Sequence, residues 1–189
     1  YSPQWRREIE AGPILTNLIH EIDLLRFICG DIATVSAEIT HHDQKFAKED
    51  AAAITMKFAN SAIGSFVLSD RTPTPWSWEM ALGENAKFPK SRQNAIRFMG
   101  TKGALEFPNL VLWTHPDLDG NWQDKIQPEE IATPFIDAYV AQCRHLCAVV
   151  WGTQLPIIDA ENGTRSLDAT QATVRAATEG TRVTIDLPS

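Results

Sequence analysis

The sequence predicts an α+β fold, a mostly antiparallel open sheet with helices packed on one face. Three observations predict it: an apolar helical period over residues 11–31, alternating β-branched segments between residues 32 and 116, and a return of the helical period after Pro134. Strands joined by short turns pair antiparallel, and helices grouped before and after a run of strands are typical of the α+β class. The length of 189 residues suits a single domain, residues 1–189, with a sizeable core.

The first helix is predicted in the stretch AGPILTNLIHEIDLLRFICGD, residues 11–31, with Pro13 in its first turn and Gly30 at its end. At about 100° per residue, the side chains of this helix separate into two faces. The apolar residues on the core face are Leu15, Leu18, Ile22, Leu25 and Cys29, with Ile14 and Ile19 at its edges. The residues on a second, mixed stripe are Thr16, His20, Asp23 and Phe27.

The mixed stripe places a histidine and an aspartate three residues apart, at His20 and Asp23. An aspartate at this spacing can accept a hydrogen bond from one imidazole nitrogen, which fixes the ring and leaves the other nitrogen for proton transfer. The alternative interpretation is a helix with a polar edge, on which the two residues form only a surface pair. The spacing alone leaves both interpretations open.

The middle of the chain alternates in the manner of strands. Strands are predicted over residues 32–42, 50–59 and 61–70, the last two joined tightly at Asn60-Ser61, and over WSWEMALGE, residues 76–84. A hairpin is predicted over residues 94–108, with a two-residue turn between Gly100 and Gly103. The remaining predicted elements are a strand over 110–116, helices over 134–152 and 159–180, and a final strand over 181–187. The second of these helices is predicted to pack through Leu167, Thr170, Val174 and Ala177.

Charge and motif content exclude several classes of protein. A formal net charge of −7 argues against nucleic acid or an anionic membrane as a partner, because both require clustered Lys and Arg. No apolar run approaches the roughly 20 residues that cross a bilayer. The sequence contains no GxGxxG turn between a strand and a helix, no Walker loop, no GxSxG elbow and no HExxH pair.

The three cysteines, Cys29, Cys143 and Cys147, lie in apolar helical stretches and lack a second ligand pair at a zinc spacing. We therefore expect no metal site, buried free thiols and a reducing, cytoplasmic compartment. Because the sequence begins with Tyr1 and has no signal peptide, we expect it to be a piece of a longer protein.

Three stretches, taken in order, resemble one known family. They are AGPILTNLIHEIDLLRFICGDI, then LSDRTPTPWSWEMALGENAKFP with IRFMGTKGALEFPNLVLW, and then residues 135–185, which open with FIDAYVAQCRHLC and close with TRVTI. Together they resemble the C-terminal domain of the glucose–fructose oxidoreductase / inositol dehydrogenase (Gfo/Idh/MocA) family. The resemblance implies an upstream Rossmann domain that binds NAD or NADP in the parent enzyme. No cofactor-binding residue is expected in this chain, and no cofactor is expected to bind it alone.

The resemblance also implies roles for residues of the first helix. It implies that His20 faces the nicotinamide ring and the substrate carbinol, where it helps to move the hydroxyl proton as hydride passes to the cofactor. Thr16 stands where many members carry an aspartate, and Asn17 follows it as in a branch that has the sequence NLIH; both are expected near the substrate. Asp23 matches a second acidic position and is expected to orient His20 or to make a helix-start contact.

The segment SDRTPTPWSWE matches a stretch near the substrate pocket of the family. By this resemblance Asp70, Arg71, Trp76 and Trp78 are candidates to hold a polyol through hydrogen bonds and stacking on ring faces. The alternative is that both tryptophans pack on the sheet, where large aromatic side chains commonly lie.

Three hypotheses about function follow. The first is the substrate-binding and oligomerisation domain of an NAD(P)-dependent oxidoreductase acting on a sugar, cyclitol or similar polyhydroxy compound; the isolated chain would be inactive, and its open sheet face would form a homodimer or higher homo-oligomer. The second is a non-catalytic assembly or ligand-sensing domain, in which Thr16 marks lost chemistry. The third, a free-standing binding module unrelated to dehydrogenases, is disfavoured because the chain looks truncated.

Overall fold

A computed structural model describes residues 5, 8–41, 47–83, 87–117, 120–134 and 136–187. It confirms the α+β class and the antiparallel pairing of the strands. The chain divides into two compact units, one formed by residues 1–72 with 145–189 and the other by residues 73–144. Residues 42, 84 and 135, near the edges of three predicted elements, lie outside the described residues.

The elements follow the predicted order with a few differences. The helices are a 3-10 helix (Ile9–Ala11), a π-helix (Ile14–Leu18), α1 (Ile19–Cys29), α2 (Trp78–Leu82), α3 (Ala138–Val150) and α4 (Ala160–Glu179). The strands are β1 (Ile32–Thr40), β2 (Ala51–Phe58), β3 (Ile63–Ser69), β4 (Ile96–Gly100), β5 (Gly103–Phe107), β6 (Val111–Thr114), β7 (Gln127–Glu130) and β8 (Val183–Thr184). They form two four-stranded sheets, ordered β3-β2-β1-β8 and β4-β5-β6-β7.

The first sheet buries one face under helices and exposes the other. The side chains of β2 alternate between buried and exposed, and the buried ones are Ala52, Ile54, Met56 and Phe58. α4 packs against β1, and both α1 and the π-helix pack against α4. The alternation predicted for this strand is confirmed, because a period of two places successive side chains on opposite faces.

The first helix carries the predicted boundaries and most of the predicted core face. Gly30, with a φ of 87°, ends α1 in a conformation that favours glycine. Leu18 and Ile22 are fully buried. Leu15, predicted on the core face, is only half-buried, whereas its neighbour Ile14 is buried. The π-helix explains the difference, since its wider turn advances each side chain by less than the α-helical angle used for the prediction.

The segment that follows Trp76 is a helical turn, so the prediction of a strand over 76–84 is wrong. The Ser77 hydroxyl accepts a hydrogen bond from the Met80 N–H at 3.3 Å, and the Ser77 carbonyl accepts one from the Ala81 N–H at 2.9 Å. A serine whose side chain bonds the N–H three residues later is a helix N-cap. That cap overrides the alternation of the tryptophans.

The second sheet contains the predicted hairpin and one unpredicted strand. Gly100 pairs with Gly103 at the turn between β4 and β5, as the sequence indicates. β7 was not predicted because its sequence, QPEE, is polar and fully exposed and so lacks the apolar period of a half-buried strand.

The two long helices differ in their surroundings. The buried face of α4 consists of small side chains, namely Ser166, Ala169, Thr170, Ala172, Thr173 and Ala176. Leu167, predicted on this face, is 41% exposed, because small residues let α4 approach β1 and α1 more closely than a leucine would allow. Cys143 and Cys147 on α3 are exposed, so the prediction that they are buried is wrong, while Cys29 is half-buried against the core.

Candidate functional site

His20 lies in the first turn of α1 on the side of the helix that faces away from the core. Leu18 and Ile22, two residues before and after it, are both 0% exposed, whereas His20 itself is exposed. To the residues that the structure describes, the His20 ring makes no hydrogen bond. Buried side chains therefore hold the helix, and the His20 imidazole on its exposed side has both ring nitrogens available to a ligand.

Asp23 does not pair with His20. Its Oδ1 atom accepts a hydrogen bond of 2.6 Å from the Ser166 hydroxyl on α4. The predicted hydrogen bond from the imidazole to Asp23 is therefore not formed: the aspartate, three residues further along the helix, accepts from the Ser166 hydroxyl of α4, which in turn accepts from Arg26. Asp23 anchors the helix that carries His20.

Arg26 is the residue of this region that the sequence analysis missed. Its side chain is 7% exposed, and its Nε and Nη2 atoms donate to Asp31 Oδ1 at 3.0 and 2.6 Å. Its Nη1 atom donates to the Asn162 carbonyl at 2.9 Å and to the Ser166 hydroxyl at 2.7 Å. The available signal was its position four residues after Ile22, which places an arginine on the apolar face with an aspartate shortly after it.

A second arginine completes this network on α4. Arg165 Nη1 donates to Asp31 Oδ2 at 3.0 Å, and its Nη2 donates to Glu161 at 2.5 Å. The hydrogen bond to Glu161 raises the pKa of Arg165. Asp31 therefore accepts from two guanidinium groups, and the side of α1 that faces α4 is held by charge-assisted hydrogen bonds.

Thr16 and Asn17 lie in the π-helix, one turn before His20. The Thr16 hydroxyl donates to the Gly12 carbonyl at 3.0 Å, so its proton is committed to the backbone. Asn17 is exposed, and its side chain has no hydrogen bond to the described residues. Asn17 and His20 are thus the two polar side chains of this segment that are free to meet a ligand. Short π-helical segments occur frequently at functional sites.

Asp70 and Arg71 follow the last residue of β3. They lie at the end of the first sheet at which the first helical segment begins. The Asp70 N–H donates to the Asp50 carbonyl at 3.2 Å, and the Asp70 carboxylate forms an ion pair with Lys48. Glu49 lies between Lys48 and Asp50 in the sequence, and its carboxylate accepts a hydrogen bond of 2.9 Å from the Ile14 N–H. The segment 48–50 therefore links the Asp70 loop to the helical segment that contains Thr16 and Asn17.

The two tryptophans lie in the unit formed by residues 73–144, and they differ. The Trp78 ring packs edge-on against Phe107, with ring centroids 4.8 Å apart, so for this residue the packing alternative holds. Trp76 is 62% exposed. Its exposed indole retains the ring face that a polyol could stack on, and its role in binding stays a prediction.

A shallow cleft of about 680 Å³ opens between α4 and the strand β8. Its lining residues are Leu15, Asp168, Gln171, Val174, Arg175, Thr184, Ile185 and Asp186. None of the predicted site residues lines it, and it contains no imidazole or thiol that titrates near neutral pH. We therefore place the candidate site at His20, where an uncommitted imidazole meets exposed polar side chains.

The described residues contain no metal-ligand group, glycine-rich phosphate-binding turn or membrane-spanning helix. Among the described residues there is no group of three or more His, Cys, Asp or Glu side chains arranged to hold a metal ion. The strand-to-helix connections of the described ranges carry no glycine-rich turn that would cradle a pyrophosphate. No helix in this part of the chain is long and apolar enough to span a membrane.

Comparison with solved structures shows the fold of many oxidoreductases. The aldose–aldose oxidoreductase of Caulobacter crescentus, complexed with glycerol, is 20% identical with a TM-score of 0.69; the alignment covers 98% of this chain and 52% of that one. An oxidoreductase of Agrobacterium radiobacter in complex with NAD+, L-tartaric acid and magnesium is 19% identical with a TM-score of 0.65, covering 90% of this chain and 48% of that one.

A third structure, the WlbA dehydrogenase of Bordetella pertussis with NADH and UDP-GlcNAcA, is 18% identical with a TM-score of 0.59 and covers 99% of this chain and 50% of its own. The chain thus spans about half the length of the solved structures it matches. No curated protein matches the sequence significantly.

The family comparison agrees with the fold and extends over nearly the whole chain. The model of the oxidoreductase family's C-terminal alpha/beta domain matches residues 1–185 of the 189. The helix with the exposed histidine, the two antiparallel sheets and the closing helix all lie within the matched residues. The chain belongs to the Gfo/Idh/MocA oxidoreductase family, as its C-terminal alpha/beta domain.

Proposed function

We propose that this domain supplies the substrate contacts and the proton-transfer group of an NAD(P)-dependent oxidoreductase that acts on a sugar, cyclitol or similar polyhydroxy compound. The observation that carries the proposal is the exposed imidazole of His20, without a hydrogen bond to the described residues, on a helix whose opposite side buries Leu18 and Ile22. A dinucleotide-binding domain elsewhere in the parent protein would bring the nicotinamide to this surface, since the described residues offer no phosphate cradle of their own.

The proposed chemistry needs a group that exchanges protons near neutral pH. A carbinol C–H gives up hydride readily only as the adjacent O–H loses its proton, and an imidazole is suited to accept that proton. In the reverse direction the imidazolium returns the proton to the carbonyl oxygen. His20 would act here without a carboxylate partner on its own helix, because Asp23 is committed to Ser166.

The proposed substrate class rests on the polar groups around His20 and on the relatives. Asn17, one turn before His20, offers an amide donor and acceptor that suit hydroxyl groups on adjacent carbons, and Asp70 and Arg71 stay candidates through the family resemblance. The complexes of relatives with glycerol, L-tartaric acid and UDP-GlcNAcA are compatible with a polyhydroxy ligand. Trp76, in the unit formed by residues 73–144, stays a candidate through its exposed ring face.

The proposed activity is tested with the full-length protein that contains this domain. Cofactor reduction is measured with NAD+ or NADP+ and a panel of aldoses, cyclitols and polyhydroxy acids, with simple secondary alcohols as controls. We expect reduction with at least one polyhydroxy compound and little with the simple alcohols. Cofactor binding without turnover of any polyhydroxy compound would contradict the proposal. The isolated 189-residue chain is expected to show neither activity nor tight cofactor binding.

A second candidate function is a non-catalytic assembly or ligand-sensing domain. It is favoured by Thr16, which stands where many members of the family carry an aspartate and cannot serve as a carboxylate base; its hydroxyl donates to the Gly12 carbonyl. Calorimetry distinguishes it from the first candidate: a polyhydroxy ligand that binds the full-length protein without any cofactor turnover supports the second candidate.

We also propose that the outer face of the first sheet forms a homodimer or a higher homo-oligomer. Ile63 and Val67 on β3 are 82% and 80% exposed, and Val67 pairs with exposed Ala53 of β2. Apolar residues of this kind on an open sheet are typical of interfaces. Val67→Asp is expected to yield monomers in light scattering, whereas the control Leu155→Asp, at an equally exposed position away from the sheet, keeps the assembly. A wild-type monomer would contradict the proposal.

A further inference from the structure

Both ends of the helical segment that carries His20 are tied to the two ends of one strand. β2 is a central strand, paired with β1 on one side and β3 on the other. Glu49, two residues before β2, bonds the start of the helical segment, and Asn60, two residues after β2, bonds its end. The helix is therefore clamped along its axis by side chains that flank a single strand.

At the start of the segment, the Glu49 carboxylate serves as a helix cap supplied from a distant part of the chain. Its Oε1 atom accepts from the Ile14 N–H, one of the helix-start donors that has no partner within the helix. A carboxylate at this position also interacts favourably with the positive end of the helix dipole. A Cβ atom on residue 12 would overlap the Glu49 carboxylate, so Gly12 leaves the room that the cap occupies.

At the end of the segment, Asn60 plays the complementary part. Its side-chain Nδ2 donates to the Cys29 carbonyl at 2.9 Å, and its Oδ1 accepts from the Ala62 N–H at 3.0 Å. The first bond satisfies a carbonyl at the helix end, and the second fixes the turn between β2 and β3. The asparagine therefore holds helix and turn together.

The cap at the start is also linked to the candidate substrate loop. Asp50, next to Glu49, is 5% exposed; its carboxylate accepts from the Thr40 hydroxyl at 3.0 Å, and its carbonyl accepts from the Asp70 N–H at 3.2 Å. Glu49 lies between Lys48 and Asp50, so its bond to Ile14 joins the helix start to the segment that holds the Asp70 loop.

We propose that Glu49 is a positioning residue for the candidate site: it fixes the axial position of the helix that bears His20 relative to the Asp70 loop. This inference rests on the proposed function for its catalytic consequence, but its structural part stands on the bond between Glu49 and Ile14. A misplacement of a reacting group by about 1 Å can lower turnover as much as a hundredfold, so a cap of this kind matters to rate as well as to stability.

The structural part is tested on the 189-residue chain by hydrogen exchange. In Glu49→Ala the Ile14 amide is expected to exchange about fivefold faster or more, as for the loss of a helix N-cap. Gly12→Ala is expected to do the same by displacing the carboxylate, and Glu49→Gln, which retains an acceptor oxygen, is expected to restore most of the protection. Glu38→Ala, at an exposed carboxylate on β1, is the matched control. Unchanged exchange at Ile14 in Glu49→Ala would overturn the inference whatever the activity of the parent.

The positioning role is tested on turnover by the full-length protein, measured per folded molecule well below the melting temperature. Glu49→Ala is expected to lower kcat about tenfold or more with a smaller change in KM, and Glu49→Gln to recover most of it. A lower melting temperature with kcat unchanged would show a merely structural cap and overturn the proposal. Failure of the proposed function gives a different result. His20→Ala would then keep full turnover, whereas the Ile14 amide in Glu49→Ala would still exchange faster because the cap is lost.

Discussion

The first helix has polar residues on the side that faces α4 and on the side that carries His20. Their hydrogen bonding differs. On the α4 side, Asp23 and Arg26 each bond Ser166, and Arg26 adds Asp31 and a backbone carbonyl. On the other side, Asn17 and His20 are exposed and make no hydrogen bond to the described residues. One turn of helix can therefore separate residues that anchor the helix from residues that can meet a ligand.

This division has a physical reason. Buried charges are costly unless their hydrogen bonds are satisfied, so the polar groups of the α4 side must be paired for the domain to fold. An exposed imidazole carries no such requirement and remains hydrated until a ligand replaces the water. The anchored side can therefore hold the helix in one place, and the exposed side is free to exchange protons.

The largest effect on stability is expected for Arg26→Ala. The substitution leaves the Ser166 hydroxyl, which donates to Asp23, without the guanidinium and removes two of the donors to Asp31. The loss of one partner of a buried, hydrogen-bonded charge pair costs about 3–5 kcal/mol, which urea unfolding of the 189-residue chain would measure. Arg182→Ala, at an exposed arginine, is the control and should lie within about 0.5 kcal/mol of wild type. A loss below about 1 kcal/mol would show that the network does not anchor the helix.

Ile22→Ala tests the apolar side of the same helix. Ile22 is fully buried in the core shared with β1, β2 and α4, so truncation is expected to cost about 2–5 kcal/mol. Phe27, 78% exposed, is the matched apolar control, and Phe27→Ala should change the free energy of unfolding by less than about 0.5 kcal/mol. Equal effects of the two substitutions would break the distinction between the faces.

A smaller, pH-dependent effect is expected at the start of α4. The hydrogen bond from the Asn162 N–H lowers the pKa of Asp159 below its ordinary value of 3.8. A lowered pKa in the folded protein means that ionised Asp159 stabilises the fold above 3.8, and that this stabilisation is lost as the pH falls through the native pKa. Asp159→Ala should therefore be less stable than wild type at neutral pH, and the charge-dependent part of the difference should disappear in acid.

The Asp159 cap also supports the anchored side of the first helix, because it orders the turn whose Asn162 carbonyl accepts from Arg26. Asp159→Asn is the control, since its amide oxygen can still accept the N–H but does not titrate. Chemical unfolding of the three proteins at several pH values measures the effect. A difference between wild type and Asp159→Ala that grows as the pH is lowered would contradict the assignment.

The sequence predicted the parts of the site that depend on local pattern. The start of the helix near Pro13, its end at Gly30, the burial of Leu18 and Ile22 and the exposure of His20 all follow from helical periodicity. The paired strands around Asn60-Ser61 follow from alternation and turn chemistry. The family resemblance placed these features in a known order and is confirmed over residues 1–185.

The parts that the sequence could not predict depend on contacts between distant residues. Asp23 binds Ser166, which is 143 positions away, and no helical projection of residues 11–31 contains that partner. The Glu49 cap comes 35 positions after Ile14 for the same reason. The π-helix was missed because a projection at a fixed angle assumes one kind of helix throughout. Tertiary pairing therefore binds both Asp23 and Arg26 to residues that the pattern of the first helix does not contain.

Two measurements on His20→Ala in the full-length protein test whether the helix is anchored on one side so that His20 can act on the other. We expect turnover with the best polyhydroxy substrate to fall about 10²–10⁴-fold, as for the loss of a general acid–base group. We also expect a change of less than about 0.5 kcal/mol in the free energy of unfolding, as for an exposed side chain. His41→Ala, at another exposed histidine, controls for the loss of a surface imidazole. Full turnover in His20→Ala, or unfolding of the domain, would contradict the account.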